Sequence, residues 1–595
     1  MIPLRPIFLD EEFFNIFLFI QGVIFLKYNG AEIVIKLLEN QGVEYIAGIP
    51  GGFNLPIYDA LYKSKIKHIL ARHEQGAGFI AQGISRTTNK AGVCFATSGP
   101  GATNLLTAIA DAKLDSIPLV AITGQVPLSA IGTDAFQEVD AYGLTIPITK
   151  HNFLVRRIED LFTIIPEAFK IALEGRPGPV VIDIPKNIQT QVIELDEFPN
   201  NNSDYINYKN EDAESKHSCG TKCLKRSKLE CMAELINTSH RPIIYAGGGI
   251  TRSNASKELY TFAKKNNIPV TLTLMGLGSF PSDDSLNLGM LGMHGAPYTN
   301  YLMNEADLIL ALGIRFDDRA TGDIQNFCPN ASIIHVDIDA SEINKVKNSN
   351  LSMVADIKDF LNEITPLVDE KTRSSWIKRV DCFKNKYPLP SYDNPMHPAN
   401  IIPYIASRVS DDTLISTDVG EHQMWTAQRY PFKQPKTLLT SGGLGTMGFG
   451  LPTAIGAALA NKDKTVLCFS GDGSILMNIQ ELSTLAELNL NVKVIILTNH
   501  HLGLVRQQQQ LFYNEHYIAS HFEANPDFKT IGKGFGINSC DLGTEDDPFK
   551  KLDEILSEKG PYLINIPIEE CENVLPMVAP GKSNIEMIGS DDLND

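Results

Sequence analysis

The chain is 595 residues long, 43% hydrophobic and 21% charged, the balance of a globular protein with several cores. Its formal net charge of -18 excludes a general nucleic-acid-binding surface, and nine cysteines spread over such a length fit a reducing, cytoplasmic compartment better than a disulfide framework. At roughly one domain per 150 residues, three or four domains are expected.

Residues 1–27 read as an extension outside the fold. Within them Phe13–Phe25 is strongly apolar but shorter than the ~20 residues a spanning helix requires. The flank carrying Arg5, Asp10, Glu11 and Glu12 lacks a signal peptide's positive charge. A membrane anchor is the alternative reading of this segment; no other stretch is a credible span. Residues 28–195 form the first predicted domain, which contains "GVCFATSGPGATNLLTAIADAKLDSIPLVAITGQ" (Gly92–Gln125). A polar run, Asn200–Lys222, links it to the second. Its Cys219 and Cys223 have no second ligand pair and no His at zinc-binding spacing. The second domain, residues 225–365, carries strands in Arg241–Ile250, Ile268–Leu274, Ala306–Asp318 and Ala331–Ala340. After the charged, proline-containing run Asp369–Pro398, the third domain spans residues 395–570. It contains "TVLCFSGDGSILMNIQELSTLAELNLNVKVIILTNHH" (Thr465–His501), and residues 571–595 form the C-terminal tail.

The two quoted stretches share one pattern: an apolar β-rich run, Ser-Gly-x-Gly, a helix-patterned segment, and a second apolar run. That is a β-α-β unit, and the alternation around each copy predicts α/β domains built on doubly wound parallel sheets. Where the first copy has Pro100, the second has Asp472. An Asp-Gly turn is the plain reading of Asp472, but only an aspartate can hold a cation. Both strand ends reach the sheet's carboxyl edge, where ligands usually sit, and the second strand ends at Asn499. Asp472 and Asn499 are hard oxygen donors suited to Mg2+ and a diphosphate, and a helix starting near Ser474 turns its amides to the same anion.

"GDGS…LTNHHLG" resembles the signature of the thiamine-diphosphate enzymes, with Thr498 in place of the usual first Asn. With "RHEQGAG", "ATSGPGATN", "IGTDAFQE", "LGMHG", "GIRFDDRATG" and "TSGGLGTMGFGLP", the chain from about Asn29 to Ile588 is similar to the large, catalytic subunits of acetolactate synthase (acetohydroxyacid synthase). The resemblance implies a pyrimidine-binding, a central flavin-binding and a diphosphate-binding domain, with thiamine diphosphate, Mg2+ and FAD as cofactors. Asp472, Asn499 and the backbone carbonyl of His501 would hold the metal, with Gly473 and Ser474 near the diphosphate. Glu74 would bond the aminopyrimidine ring and promote deprotonation of the thiazolium; its plain reading is a solvated helix start paired with Arg72. Gly445, Thr446 and Met447 would support the bent cofactor, and Gly420, Glu421 and His422 would approach the diphosphate. Glu421 departs from the family's usual Gln and adds a negative charge near the diphosphate.

Arg176, Gly247, Thr273, Leu274, Leu291, Met293, His294, Arg315, Asp317, Asp318, Asp337 and Asp356 fall at flavin-binding positions by the same resemblance. The turn Gly247–Gly249 alone is also the pattern of a tight strand–helix connection. Since the net reaction has no redox step, the flavin is expected to organise the site. Arg319 would bind the second substrate's carboxylate, or else form a surface ion pair. Gln137, Phe136 and Lys150 would line the same cleft. Gln508, where many members carry Trp, would set acceptor choice unless Phe512 or Tyr513 fills that space.

The activity implied is decarboxylation of pyruvate and ligation of the hydroxyethyl carbanion to pyruvate or 2-oxobutyrate, the first common step of branched-chain amino-acid synthesis. A homodimer or homotetramer with a small regulatory subunit is implied as well. A pyruvate oxidase-like flavoenzyme and a catalytically silent regulatory homologue are the alternatives.

Overall fold

The computed structural model describes residues 26–199 and 226–589; the N-terminal apolar segment, the Cys219–Cys223 pair and residues 590–595 lie outside them. Among the described residues no helix is long and apolar enough to cross a membrane, and the seven cysteines are free.

Three six-stranded sheets organise the described residues, each parallel throughout. The first runs Lys67–Leu70, Tyr45–Gly48, Gly92–Ala96, Leu119–Gln125, Pro179–Pro185, His151–Leu154 from edge to edge. The third runs Leu438–Leu439, Leu414–Thr417, Val466–Gly471, Val492–Thr498, Tyr562–Pro567, Asn538–Asp541. Numbered in chain order, both read 2-1-3-4-6-5, so the repeated β-α-β units occupy the same two central strands of two like sheets. These central strands, Gly92–Ala96, Leu119–Gln125, Val466–Gly471 and Val492–Thr498, are buried along their whole length. Helices on both faces of a parallel sheet require such continuous apolar runs. The central sheet has the different order 3-2-1-4-5-6, and its two edge strands, Asn287–Met290 and Leu351–Val354, are too short and mixed to stand out in the sequence.

The two copies differ after their turns. Pro100–Leu114 is one continuous helix, whereas the second copy forms Asp472–Ile475 and then Glu481–Leu488. The gap holds Asn478, whose Nδ2 donates to Gly448 O at 2.7 Å and Gln75 Oε1 at 3.1 Å. Tertiary partners outside the unit therefore accompany the break in the helical pattern. Helices Glu74–Thr87 and Gly450–Ala460, at equivalent places in the two copies, pack directly on each other and join the first domain to the third.

The turn Gly247–Gly249 has a packing role. A methyl on Gly247 would stand 2.4 Å from Gly313 O, and one on Gly249 2.6 Å from Gly313 Cα. Neighbouring strand ends meet there too closely for side chains.

Candidate active site

Asp472 stands where the buried strand Val466–Gly471 ends at the carboxyl edge of the third sheet, and it is itself buried. Its Oδ2 accepts from His500 N at 2.7 Å and Asn525 Nδ2 at 2.6 Å, and its Oδ1 from Gly473 N at 3.0 Å. Burial raises its pKa, and those donors oppose the rise. The next strand delivers Asn499 beside it. Asn499 Nδ2 donates to Glu421 Oε2 at 2.9 Å, while Asn499 Oδ1 accepts from His501 N at 3.1 Å. The His501 ring faces His521 at 4.8 Å and meets Ser520 O through Nδ1.

Glu421 opens the helix Glu421–Arg429 after Gly420 and is fully enclosed. Burial pushes its carboxyl up to about 8, against the pull of Arg506 and the Asn499 hydrogen bond. Among the described residues its Oε1 has no hydrogen-bond partner, although Arg506 Nη2 lies 3.8 Å away. Burial holds His422 neutral, its pKa lowered to about 3, and its Nε2 is also unpartnered among the described residues. A glycine at 503 allows the tight fit: a methyl there would lie 1.9 Å from Glu421 Oε2. One carboxylate, one amide, a backbone carbonyl and an orphan imidazole nitrogen suit Mg2+ with a diphosphate. Among the described residues no three His, Cys, Asp or Glu gather as a metal site, and a magnesium site with a single carboxylate needs no such trio.

Glu74 begins its helix at the carboxyl edge of the first sheet and accepts from Asn104 Nδ2 at 2.9 Å. Arg72 pairs elsewhere, with Glu487 at 2.7 Å. The turn carrying Glu74 is fixed from the third domain. Buried Glu481 Oε1 accepts Arg72 N at 2.8 Å and His73 N at 3.1 Å. Gln137, at φ +61°, touches the Gly99 turn of the same edge, and Phe136 beside it is 80% exposed. Lys150 is placed apart: its Nζ donates to Ile171 O and Glu174 O at the end of helix Leu161–Leu173.

A cavity of about 840 Å³ lies between the domains, lined by Met293, Arg319, Gly445, Leu504, Gln508 and Met577 among others. Arg319 Nε stands 4.0 Å from exposed Asp318, and its Nη1 lies 3.7 Å from Met293 Sδ. Gly445, at φ +69°, has open space where a side chain would go. Asp418 holds the backbone next to Met447, accepting Gly448 N at 2.7 Å.

Residues 28–144 match the model "Thiamine pyrophosphate enzyme, N-terminal TPP binding domain". Residues 229–364 match "Thiamine pyrophosphate enzyme, central domain", and residues 418–566 match "Thiamine pyrophosphate enzyme, C-terminal TPP binding domain". The chain is 52% identical over 566 residues to the acetolactate synthase isozyme 1 large subunit of Escherichia coli (strain K12), covering 95% of this chain and 98% of the relative. It belongs to the acetolactate synthase large-subunit family. Isozyme 2 of the same organism is 43% identical, over 94% of this chain and 99% of the relative. The rice chloroplastic acetolactate synthase 1 is 44% identical, over 94% and 87%.

The expected flavin-binding central domain, and with it the flavoprotein assignment and FAD, is corrected. That segment matches a thiamine pyrophosphate enzyme central domain, and all three matches describe thiamine enzymes. Several side chains expected around a flavin are committed to the protein. Arg176 pairs with Glu342 at 2.6 Å and Asp339 at 3.1 Å, and Arg315 Nη1 donates to Leu114 O at 2.9 Å. Asp337 accepts Asp339 N, Asp317 and Asp356 cap helices, and His294 Nδ1 meets Pro576 O. These six line the cavity together with Thr273, Leu274, Leu291, Met293 and Asp318.

Sequence reasoning missed Asn525, Arg506, Asp418 and Glu481. Each reaches its partner across 30 or more residues, and none sits in a pattern that local spacing would reveal.

Proposed function

We infer that this chain decarboxylates pyruvate on thiamine diphosphate and ligates the two-carbon unit to pyruvate or 2-oxobutyrate, giving 2-acetolactate or 2-aceto-2-hydroxybutyrate. The observation that carries this reading is 52% identity over nearly the whole chain to an acetolactate synthase large subunit. The bound thiazolium supplies the nucleophile and accepts the electrons released as CO2 leaves. The protein's part is positioning and proton management.

Asp472, Asn499 and the His501 carbonyl hold Mg2+ in this reading, and His422 offers its free Nε2 to the diphosphate. Glu74 keeps a carboxyl at the pyrimidine ring, where sharing a proton with the ring nitrogen assists acid–base work. The Asn104 amide holds that carboxyl in one orientation. Arg319, whose ion pair with Asp318 is long and exposed, is available to a substrate carboxylate. Glu421 supports Asn499 through its 2.9 Å contact.

Glu74 and Asp472 belong to edges of different sheets. Phe136 and Met477 near those edges are 80% and 54% exposed, as expected of surfaces a second copy covers. A homodimer, or a tetramer of two such pairs, would place Glu74 of one copy against Asp472 of another. A small regulatory partner follows from the relatives' designation as large subunits. The free cysteines suit a cytoplasmic setting.

Purified protein given pyruvate, Mg2+ and thiamine diphosphate tests the reading. Acetolactate is the expected product; acetyl phosphate, or no turnover at all, would refute it.

A further inference from the structure

Three buried side chains of the first domain grip a loop of the third. Asp111 lies in helix Pro100–Leu114 and Asp115 at its C-cap, two like charges four residues apart that would repel one another in isolation. Arg86, from helix Glu74–Thr87, bridges them through Nη2, at 3.0 Å to Asp111 and 2.8 Å to Asp115. All three residues are at most 6% exposed. Burial and Asp115 raise the Asp111 carboxyl, whereas Arg86 and Ser441 hold it down.

Two carboxylates against one guanidinium leave acceptor capacity over, and the loop of the third domain uses it. Gly443 N donates to Asp115 Oδ1 at 2.7 Å and Gly442 N to Asp115 Oδ2 at 3.1 Å. Ser441 Oγ donates to Asp111 Oδ2, and Thr446 Oγ1 approaches the same oxygen at 3.3 Å. Ser441 Oγ also accepts Thr446 N at 2.9 Å, and Arg86 Nη1 donates to Thr440 O at 2.9 Å. The loop is thus tied at both ends, at 440–443 and at 446. Between the ties Gly445 faces open space on the cavity wall. A glycine-rich segment has little stiffness of its own, so its shape is imposed from outside.

We propose that Asp111 and Asp115, bridged by Arg86, are positioning residues that hold the Ser441–Thr446 loop in the shape that receives thiamine diphosphate. The proposal rests on the thiamine-dependent reading above. It adds that the first domain of each chain shapes the cofactor loop of that chain's own third domain. Breaking the grip releases the loop without removing any group that touches the cofactor, so binding weakens while the bound enzyme still turns over.

The test uses the full chain freed of cofactor and titrated calorimetrically with thiamine diphosphate at saturating Mg2+. The variants are Ser441→Ala, Asp111→Asn and the double variant, and melting temperatures are recorded alongside. Losing one charge-assisted bond should raise the Kd in Ser441→Ala about tenfold. The thiamine diphosphate KM should rise in parallel and kcat at saturation should stay within about twofold. The double variant should be no worse than the poorer single one, since both cut the same tie. A wild-type-like Kd in Ser441→Ala, or fully additive losses, would overturn the proposal. If Asp111→Asn fails to fold, Ser441→Ala decides alone. Wild-type protein that binds no thiamine diphosphate would overturn the function and this proposal together, whereas a binding, acetolactate-forming wild type with indifferent variants sinks only the proposal.

Discussion

Gly83 and Gly456 lie face to face where the two equivalent helices of the repeat cross. A methyl on Gly456 would stand 1.9 Å from Ile80 O, and one on Gly83 2.2 Å from Thr453 O. Backbone touches backbone at this crossing, and the first and third domains take their relative placement from it.

Gly456→Ala should therefore destabilise the protein by about 3 kcal/mol, at the upper end of overpacking costs. Gly534→Ala, in helix Phe528–Gly534 with nothing within 4 Å of the new methyl, serves as the control. Denaturant unfolding of both variants measures the difference; equal midpoints would show that the crossing can relax.

Mixing inactive chains tests whether two copies build one site. Glu74→Gln and Asp472→Ala each spoil a different half, so a site built from two copies regains activity in mixed dimers. Refolding the two variants together and assaying acetolactate gives the answer. No recovery, with mixed dimers confirmed by mass, would place both residues in a site within one chain.

Asp472→Ala should weaken Mg2+ and thiamine diphosphate together, because the one carboxylate anchors the metal and through it the diphosphate. Separate titrations of the cofactor-free chain would show both affinities falling. A normal cofactor affinity would reduce Asp472 to a turn residue.

Gln508 lines the cavity near Arg319, Leu504 and Met577. A methylene recognised in such a pocket is worth about 1–3 kcal/mol, roughly 10- to 200-fold in selectivity. Wild-type protein should discriminate little between pyruvate and 2-oxobutyrate, and Gln508→Trp should shift products toward 2-aceto-2-hydroxybutyrate. The product ratio from competing acceptors checks this; a strong preference already present in wild type, untouched by the substitution, would exclude Gln508 as its source.

Buried Asp183 accepts from Thr123 Oγ1 at 2.6 Å and Gln125 Nε2 at 2.9 Å, yet desolvation lifts its carboxyl to about 7. A carboxyl raised by folding binds its proton more tightly in the native state. Its contribution is fully present below about pH 4 and is lost as pH rises through 7. The stability margin of wild type over Asp183→Asn should shrink steadily across that window in melting experiments. A margin that grows with pH would mean that the hydrogen bonds outweigh burial.

The sequence by itself determined the repeated β-α-β units, because buried parallel strands demand unbroken apolar runs and the turn after them demands glycine. It also placed Asp472 and Asn499 together, since adjacent strands of one unit end at one sheet edge. What it could not carry was any contact between surfaces of different units. Asn525 at Asp472, Arg506 near Glu421, Glu481 under the Glu74 turn and Asp111 beneath Ser441 all meet across long separations, where no period links the partners. Lys150 is legible as a cation, but only the tertiary structure decided that it caps a helix end. The central domain shows the same division: its glycine-rich turn is visible in the chain, while the close approach of Gly247 and Gly249 to Gly313 exists only once the strands have packed.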